Sequence, residues 1–269
     1  MPAMIAHPGM PVWQTLITRD LDQAKEFYGP LFGWEFRDED PGYAVATKEG
    51  MPVAGIIANP DSPGTRWGLY FHAEDVEAAH EAALAVGGQS GLAPTPTDDG
   101  AVQSLLVDPT GAIASLRKGP DEQAIMAAGE PGTPVWFELA VTRNWDETLK
   151  FYHELCGFDV KLQGGGEGQR YATGDVEGSP VVGFWERVGN GHQQGEEVPG
   201  MWTISWGVSN LSEALEKVKN HGGLVLQVDN AGHEPAALIQ DVAGAPLQLV
   251  EVPEFEPAED DVHEPDLFA

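Results

Sequence analysis

The 269-residue sequence is poor in cysteine, in basic side chains and in long apolar runs. A single cysteine, Cys156, excludes an internal disulfide and fits a reducing compartment. Lys and Arg number 14 against 43 Asp and Glu, for a formal net charge of −29. A field of that sign repels phosphate backbones and anionic lipid, so neither nucleic acid nor a membrane surface is expected as a partner. No stretch reaches the ~18–20 consecutive apolar residues of a membrane span. Met1 to Met10 lacks both the basic residue and the apolar run of a signal peptide. Together these absences predict a cytoplasmic protein. What the chain does have is 42% apolar residues, enough for a sizeable core, with 33 glycines and 21 prolines at turn-like sites between short strands. Its acidity leaves two readings open: solubility, or attraction of a cationic ligand.

The chain repeats itself. Pro11-Val12-Trp13 recurs as Pro134-Val135-Trp136, Thr18-Arg19 as Thr142-Arg143, Phe27-Tyr28 as Phe151-Tyr152, and Gly33 as Gly157. Tyr43 to Gly55 matches Tyr171 to Gly183; Trp67 and Gly87-Gly88 match Trp202 and Gly222-Gly223; Asp108 and Gly111 match Asp241 and Gly244. The order is kept while the offset drifts from 123 to 135, which small loop insertions explain. The expected organisation is one module over residues 9–118, a polar linker over 119–132, a second module over 133–252, and an acidic tail over 253–269 too polar to order itself.

Within each copy the pattern alternates between strand and helix. A strand over Pro11 to Thr18 leads to a helix opened by Asp20, with Leu21, Ala24, Phe27, Tyr28 and Leu31 spaced three and four apart, and stopped by Gly33. Three short strands follow, with a tight turn at Glu49-Gly50 (Glu177-Gly178 in the second copy). Another strand, Trp67 to His72, runs into a helix over Asp75 to Val86 that Gly87-Gly88 closes. Two or three more strands end at Lys118.

The helix ending in Phe-Tyr, the Gly-Trp or Gly-Phe that follows (Gly33-Trp34, Gly157-Phe158) and the Asp-x-x-Gly turn before the last strand carry a family resemblance. Over residues 9–252 the sequence resembles the vicinal oxygen chelate superfamily of glyoxalases, extradiol dioxygenases and bleomycin-resistance proteins. More narrowly it is similar to a two-module actinobacterial group that includes a mycobacterial 27 kDa antigen. The resemblance implies an α+β fold of tandem glyoxalase-like modules, built of paired βαβββ units that form cupped mixed sheets. It also implies a divalent metal held from the first, fifth and last strands of a module. Those positions fall here on Trp13, Gly68 and Ser115, and in the second copy on Trp136 or Phe137, Thr203 and Gln248. Trp, Gly and Ser supply no such ligand set, and Gln248 offers one oxygen. No metal ligand and no other cofactor is therefore expected.

Strand alternation then gives what else faces each cup. By analogy with relatives whose sites combine strands of both modules, one cup holds Trp136, Glu138, Tyr70, His72, Ser115 and Arg117. The other holds Trp13, Thr15, Thr203, Ser205 and Gln248. In the first, Glu138 and His72 are candidate catalytic acid–base groups; alternatively Glu138 pairs with Arg117 and His72 sits at a wet strand end. The remaining residues are candidate ligand contacts. The paired tryptophans read either as packing or as an aromatic cage for a flat or cationic molecule. Two functions stand side by side: capture of a small aromatic or cationic molecule, and a glyoxalase-like lyase or hydroxylase/dioxygenase-like enzyme acting on a small carbonyl or hydroxylated metabolite. No motif reports oligomeric state; a monomer or a homodimer fits.

Overall fold

The computed structural model describes residues 6–120, 125, 128–166, 169–187, 198–229 and 234–253. The acidic tail, most of the linker's middle, His192 and His263 lie outside the described residues.

Local chemistry sets the elements where the sequence marks them. Strand β1 (Pro11–Thr18) leads to helix α1 (Leu21–Phe32), whose N-cap Asp20 accepts from the Gln23 amide at 3.0 Å. Gly33 ends that helix in the left-handed conformation at φ 68°, which a residue with a Cβ adopts only at a cost. Strands β2 (Glu35–Asp40), β3 (Tyr43–Lys48) and β4 (Met51–Ala58) follow. The β3–β4 turn places Glu49 and Gly50 both at positive φ, the hairpin geometry that matches strand twist. Then come β5 (Arg66–His72), α2 (Val76–Ala85) with Asp75 as N-cap, β6 (Gln89–Pro96), β7 (Val102–Val107) and β8 (Ile113–Lys118).

The second half repeats this order. It runs β9 (Pro134–Val141), α3 (Trp145–Cys156), β10 (Asp159–Gly164), β11 (Tyr171–Val176), β12 (Ser179–Glu186), β13 (Met201–Val208), α4 (Leu211–Asn220), β14 (Leu224–Asp229), β15 (Ala236–Gln240) and β16 (Pro246–Glu251). Each half makes one eight-stranded mixed sheet: β2-β3-β4-β1-β5-β8-β7-β6 and β10-β11-β12-β9-β13-β16-β15-β14. This is the tandem cupped α+β architecture. No described helix is long and apolar enough to cross a membrane.

One face of each sheet enters a single shared core. Trp206 of the second sheet packs its ring 5.1 Å from both Trp34 and Trp67 of the first half. Reciprocally, Phe71 lies 5.4 Å from Trp202 and 6.0 Å from Phe158. Cys156 is buried in this core, and burial pushes its thiol well up, so it is an unreactive apolar group.

The repeated Phe-Tyr and Asp-x-x-Gly motifs meet across the two halves. Tyr28 donates to Asp241 at 2.8 Å, and Tyr152 donates to Asp108 at 3.0 Å. Trp67 and Trp202 donate in turn to those tyrosine oxygens, at 3.2 and 2.7 Å. So Trp67 and Trp202 are packing and hydrogen-bonding residues of the core, while the aspartates also cap their own turns: Asp108 accepts from Ala112, and Asp241 from Ala243 and Ala245.

Burial raises the Asp108 carboxyl to about 6, against which its hydrogen bonds work only in part, and burial likewise raises Asp241. A native group that keeps its proton to higher pH than the unfolded chain adds stability that is complete below about pH 4 and is lost as pH rises through 6. Between pH 4 and 7 Asp108 accordingly lowers stability by on the order of 2–3 kcal/mol. The Asp108→Asn variant keeps an acceptor for Tyr152 and removes the titration. Its unfolding free energy, measured in urea from pH 4 to 7, should fall less with pH than the parent's. Equal slopes would refute a raised Asp108.

Candidate functional site

The opposite face of each sheet forms the cup. Row by row, Trp13 stands opposite Tyr70, and Tyr70 opposite Ser115; Thr15 stands opposite Gly68, and His72 opposite Arg117. In the second sheet Trp136 stands opposite Ser205, Ser205 opposite Gln248, and Glu138 opposite Thr203.

This corrects the cup membership expected from relatives. First, fifth and last strands of the same half are sheet neighbours, so each cup is built within one half. Trp13, Thr15, Tyr70, His72, Ser115 and Arg117 share the face of the first; Trp136, Glu138, Thr203, Ser205 and Gln248 share that of the second. Glu138 does not meet Arg117 or His72. Arg117 instead binds Asp99 at 2.7 Å; burial pushes that carboxyl up, but the hydrogen bonds from Thr97 and Arg117 outweigh it and hold it down near 2. His72 is 5% exposed, so it is not at a wet strand end, and its Nε2 lies 3.7 Å from Glu74. The expected acid–base partnership of Glu138 and His72 is therefore absent.

What Glu138 does have is a tyrosine. Tyr171 donates to Glu138 Oε1 at 2.9 Å, and the Trp136 indole stands over the same glycine as Tyr171. Burial and the neighbouring carboxylate raise the Tyr171 pKa, so the phenol stays a donor. The three side chains converge over Gly183. A Cβ there would lie 2.4 Å from the Tyr171 hydroxyl, 3.0 Å from Glu138 Cγ and 3.1 Å from Trp136 Nε1. The first cup has the same floor, with a Gly55 Cβ position 3.1 Å from both Trp13 Nε1 and the Tyr43 hydroxyl. There burial raises both Tyr43 and Tyr70.

Tyr43 and Tyr171 were not singled out from the sequence. The signal was present: Tyr43 and Gly55 recur together as Tyr171 and Gly183. Only the hairpin register, with Val45 opposite Gly55 and Thr173 opposite Gly183, puts each tyrosine diagonally across its glycine.

The second cup contains a cleft of about 470 Å³. Trp136, Glu138, Ser205 and Gln248 line it, with Glu234 at its side and Val250 and Ala236 as apolar wall. Ser205 Oγ donates to Gln248 Oε1 at 3.3 Å, which leaves the Gln248 amide N–H groups for a ligand. Among the described residues only Tyr171 bonds the Glu138 carboxylate, at one oxygen.

The divalent metal implied by the fold does not fit these residues. At the first-strand position both cups carry an indole, whose N–H has no lone pair to donate. The second cup offers Glu138 and Gln248 as its strong oxygen donors, and the first offers hydroxyls and the single His72 imidazole. Among the described residues no group of three His, Cys, Asp or Glu could hold a metal ion.

Comparison with known proteins agrees with this architecture. The profile of a glyoxalase-like domain matches residues 13–116. CFP32 of Mycobacterium bovis, provisionally named a glyoxylase, is 31% identical over 229 residues, covering 81% of this chain and 84% of its own. CFP32 of Mycobacterium tuberculosis matches equally. Among solved structures, the Mn(II)-bound glyoxalase of Novosphingobium aromaticivorans superposes with a TM-score of 0.62 at 15% identity, over 94% of this chain and 86% of that one. The 2,3-dioxygenase LapB of Pseudomonas sp. KL28 gives 0.61 at 13% identity, over 95% and 96%. At such identities the structures speak for the fold alone. On the strength of the CFP32 match, the chain belongs to the glyoxalase-like family.

Proposed function

We propose that the protein binds a small cationic molecule with a flat or apolar body in its second cup. The observation that carries this reading is the cleft beside Glu138. An indole face and apolar wall meet a carboxylate with an oxygen to spare, and no basic side chain is among the lining residues. An ammonium group over Trp136 gains from the ring's negative face, and the carboxylate adds a charge-assisted hydrogen bond. The chain's −29 charge favours arrival of such a ligand.

The test is titration with the phenethylammonium ion, followed by tryptophan fluorescence and calorimetry. Saturable binding at one site is expected, weakening about tenfold or more in Glu138→Gln, which keeps an acceptor for Tyr171 but loses the charge. Binding unaffected by this substitution would remove the carboxylate from the reading.

A second reading rests on the same carboxylate. Glu138, oriented by Tyr171, could act as a general base on a small carbonyl or hydroxylated compound, in line with the provisional name of CFP32. Turnover of the methylglyoxal–glutathione hemithioacetal, with and without added divalent ions, distinguishes the two. Turnover abolished by Glu138→Gln would establish an enzyme.

A further inference from the structure

The two cups are copies, so their differences carry information that neither holds alone. Trp13, Tyr43 and Gly55 have identical counterparts in Trp136, Tyr171 and Gly183. Around this common floor the facing positions of β5 and β8 differ throughout (Gly68 becomes Thr203 and Ser115 becomes Gln248, for example), and three changes bear on charge and space. Thr15 becomes Glu138, Tyr70 becomes Ser205, and Arg117 becomes Val250. The first change adds a negative charge and the third removes a positive one. The second replaces a phenol by a hydroxymethyl group and frees the space that the ring fills in the first cup. All three alter the second cup in one direction, toward an open site of negative potential.

The position of Glu234 adds a second carboxylate. It lies two residues before the start of β15, and strands β13 and β16 lie between β15 and Glu138 on β9, so the two acids flank the cleft from opposite sides. Between them the wall is apolar at Val250 and Ala236 and polar at Ser205 and Gln248. A molecule with one charge satisfies one end of this cleft. Two cationic ends joined by an apolar chain can pair with both carboxylates.

We infer that the ligand class is an aliphatic diamine or polyamine, with one ammonium held at Glu138 against the Trp136 ring and the other at Glu234. This rests on the reading of the second cup as a cation site and narrows it to dications. The first cup, with Arg117 in place of Val250, does not take part, so one ligand binds per chain.

Calorimetric titration of the full chain at low and at physiological salt, with 1,5-diaminopentane, pentylamine and 1,5-pentanediol, tests the inference. The diamine is expected to bind at least tenfold more tightly than pentylamine at low salt, with the diol weakest. Salt should weaken the diamine more than the monoamine, because two ion pairs are screened. Glu234→Gln, at an exposed position where folding is not at risk, should bring the diamine to the level of pentylamine and leave pentylamine unchanged. Glu138→Gln should weaken both. Arg117→Gln in the first cup should leave the stoichiometry at one.

Equal affinities for diamine and monoamine, or a diamine preference that survives Glu234→Gln, would overturn the dication assignment. If phenethylammonium still binds in that case, the cation reading of the cup stands alone. Binding of neither phenethylammonium nor any amine would overturn both.

Discussion

Replacement of Trp206 by alanine is expected to destabilise the protein by about 3–5 kcal/mol, the range for removing a large aromatic ring from a core. Trp206 is fully buried. Its ring touches Phe32, Trp34 and Trp67, all from the other half of the chain. The cavity would open at the seam between the two sheets, where neither half alone can close it. Both halves should therefore unfold together at a lower denaturant concentration, in one transition seen alike by far-ultraviolet circular dichroism and by tryptophan fluorescence. Trp206→Phe should cost much less. The Trp206 indole N–H has no hydrogen-bond partner among the described residues. Phenylalanine removes that unsatisfied donor, a relief of about 1–3 kcal/mol that offsets part of the lost volume. The equivalent position of the first half is already a phenylalanine, Phe71. Independent unfolding of the halves, or an alanine variant within 1 kcal/mol of the parent, would contradict a shared core.

The second large effect is on the cup. In Gly183→Val the backbone has no reason to object, since Gly183 is not among the residues at positive φ and valine suits a strand. The side chain does object, because its Cβ would sit where the Tyr171 hydroxyl and the Trp136 indole now converge. Tyr171 must swing off Glu138, and Trp136 must tilt into the cleft. Overpacking of this kind costs about 1–3 kcal/mol of stability. The loss in phenethylammonium affinity should be larger, about 10- to 100-fold, because both the carboxylate's orientation and the aromatic face change together. Gly55→Val makes the matching disturbance in the first cup and should leave binding intact. Two glycine variants with the same affinity would show that the second cup is not the site.

The helices and turns were legible residue by residue because their determinants are local. Asp20 and Asp75 cap helices, Gly33 stops one, and Glu49-Gly50 makes its turn, each through contacts within a few residues. The facing of cup residues was legible too, since strand alternation needs no tertiary information. Trp13, Thr15, Tyr70, Ser115 and Arg117 do share one face, as do Trp136, Glu138, Thr203, Ser205 and Gln248. What failed was the assignment of partners across strands. Glu138 was placed with His72 and Arg117 by analogy, whereas the sheet pairs β9 with β13 and gives Glu138 a tyrosine from β11.

By itself, then, the sequence determined the repeat, the element order and the family, for these are properties of residue identity and short-range spacing. Tertiary structure alone decided which strands of which half share a cup. It alone joined Tyr28 to Asp241 and Tyr152 to Asp108, across 213 and 44 residues of chain. The reason is that two modules with the same order of elements offer every strand two chemically similar partners. Choosing between them depends on the packing of whole sheets, whose energy is spread over Trp34, Trp67, Phe71, Trp202 and Trp206 together and appears in no single local pattern.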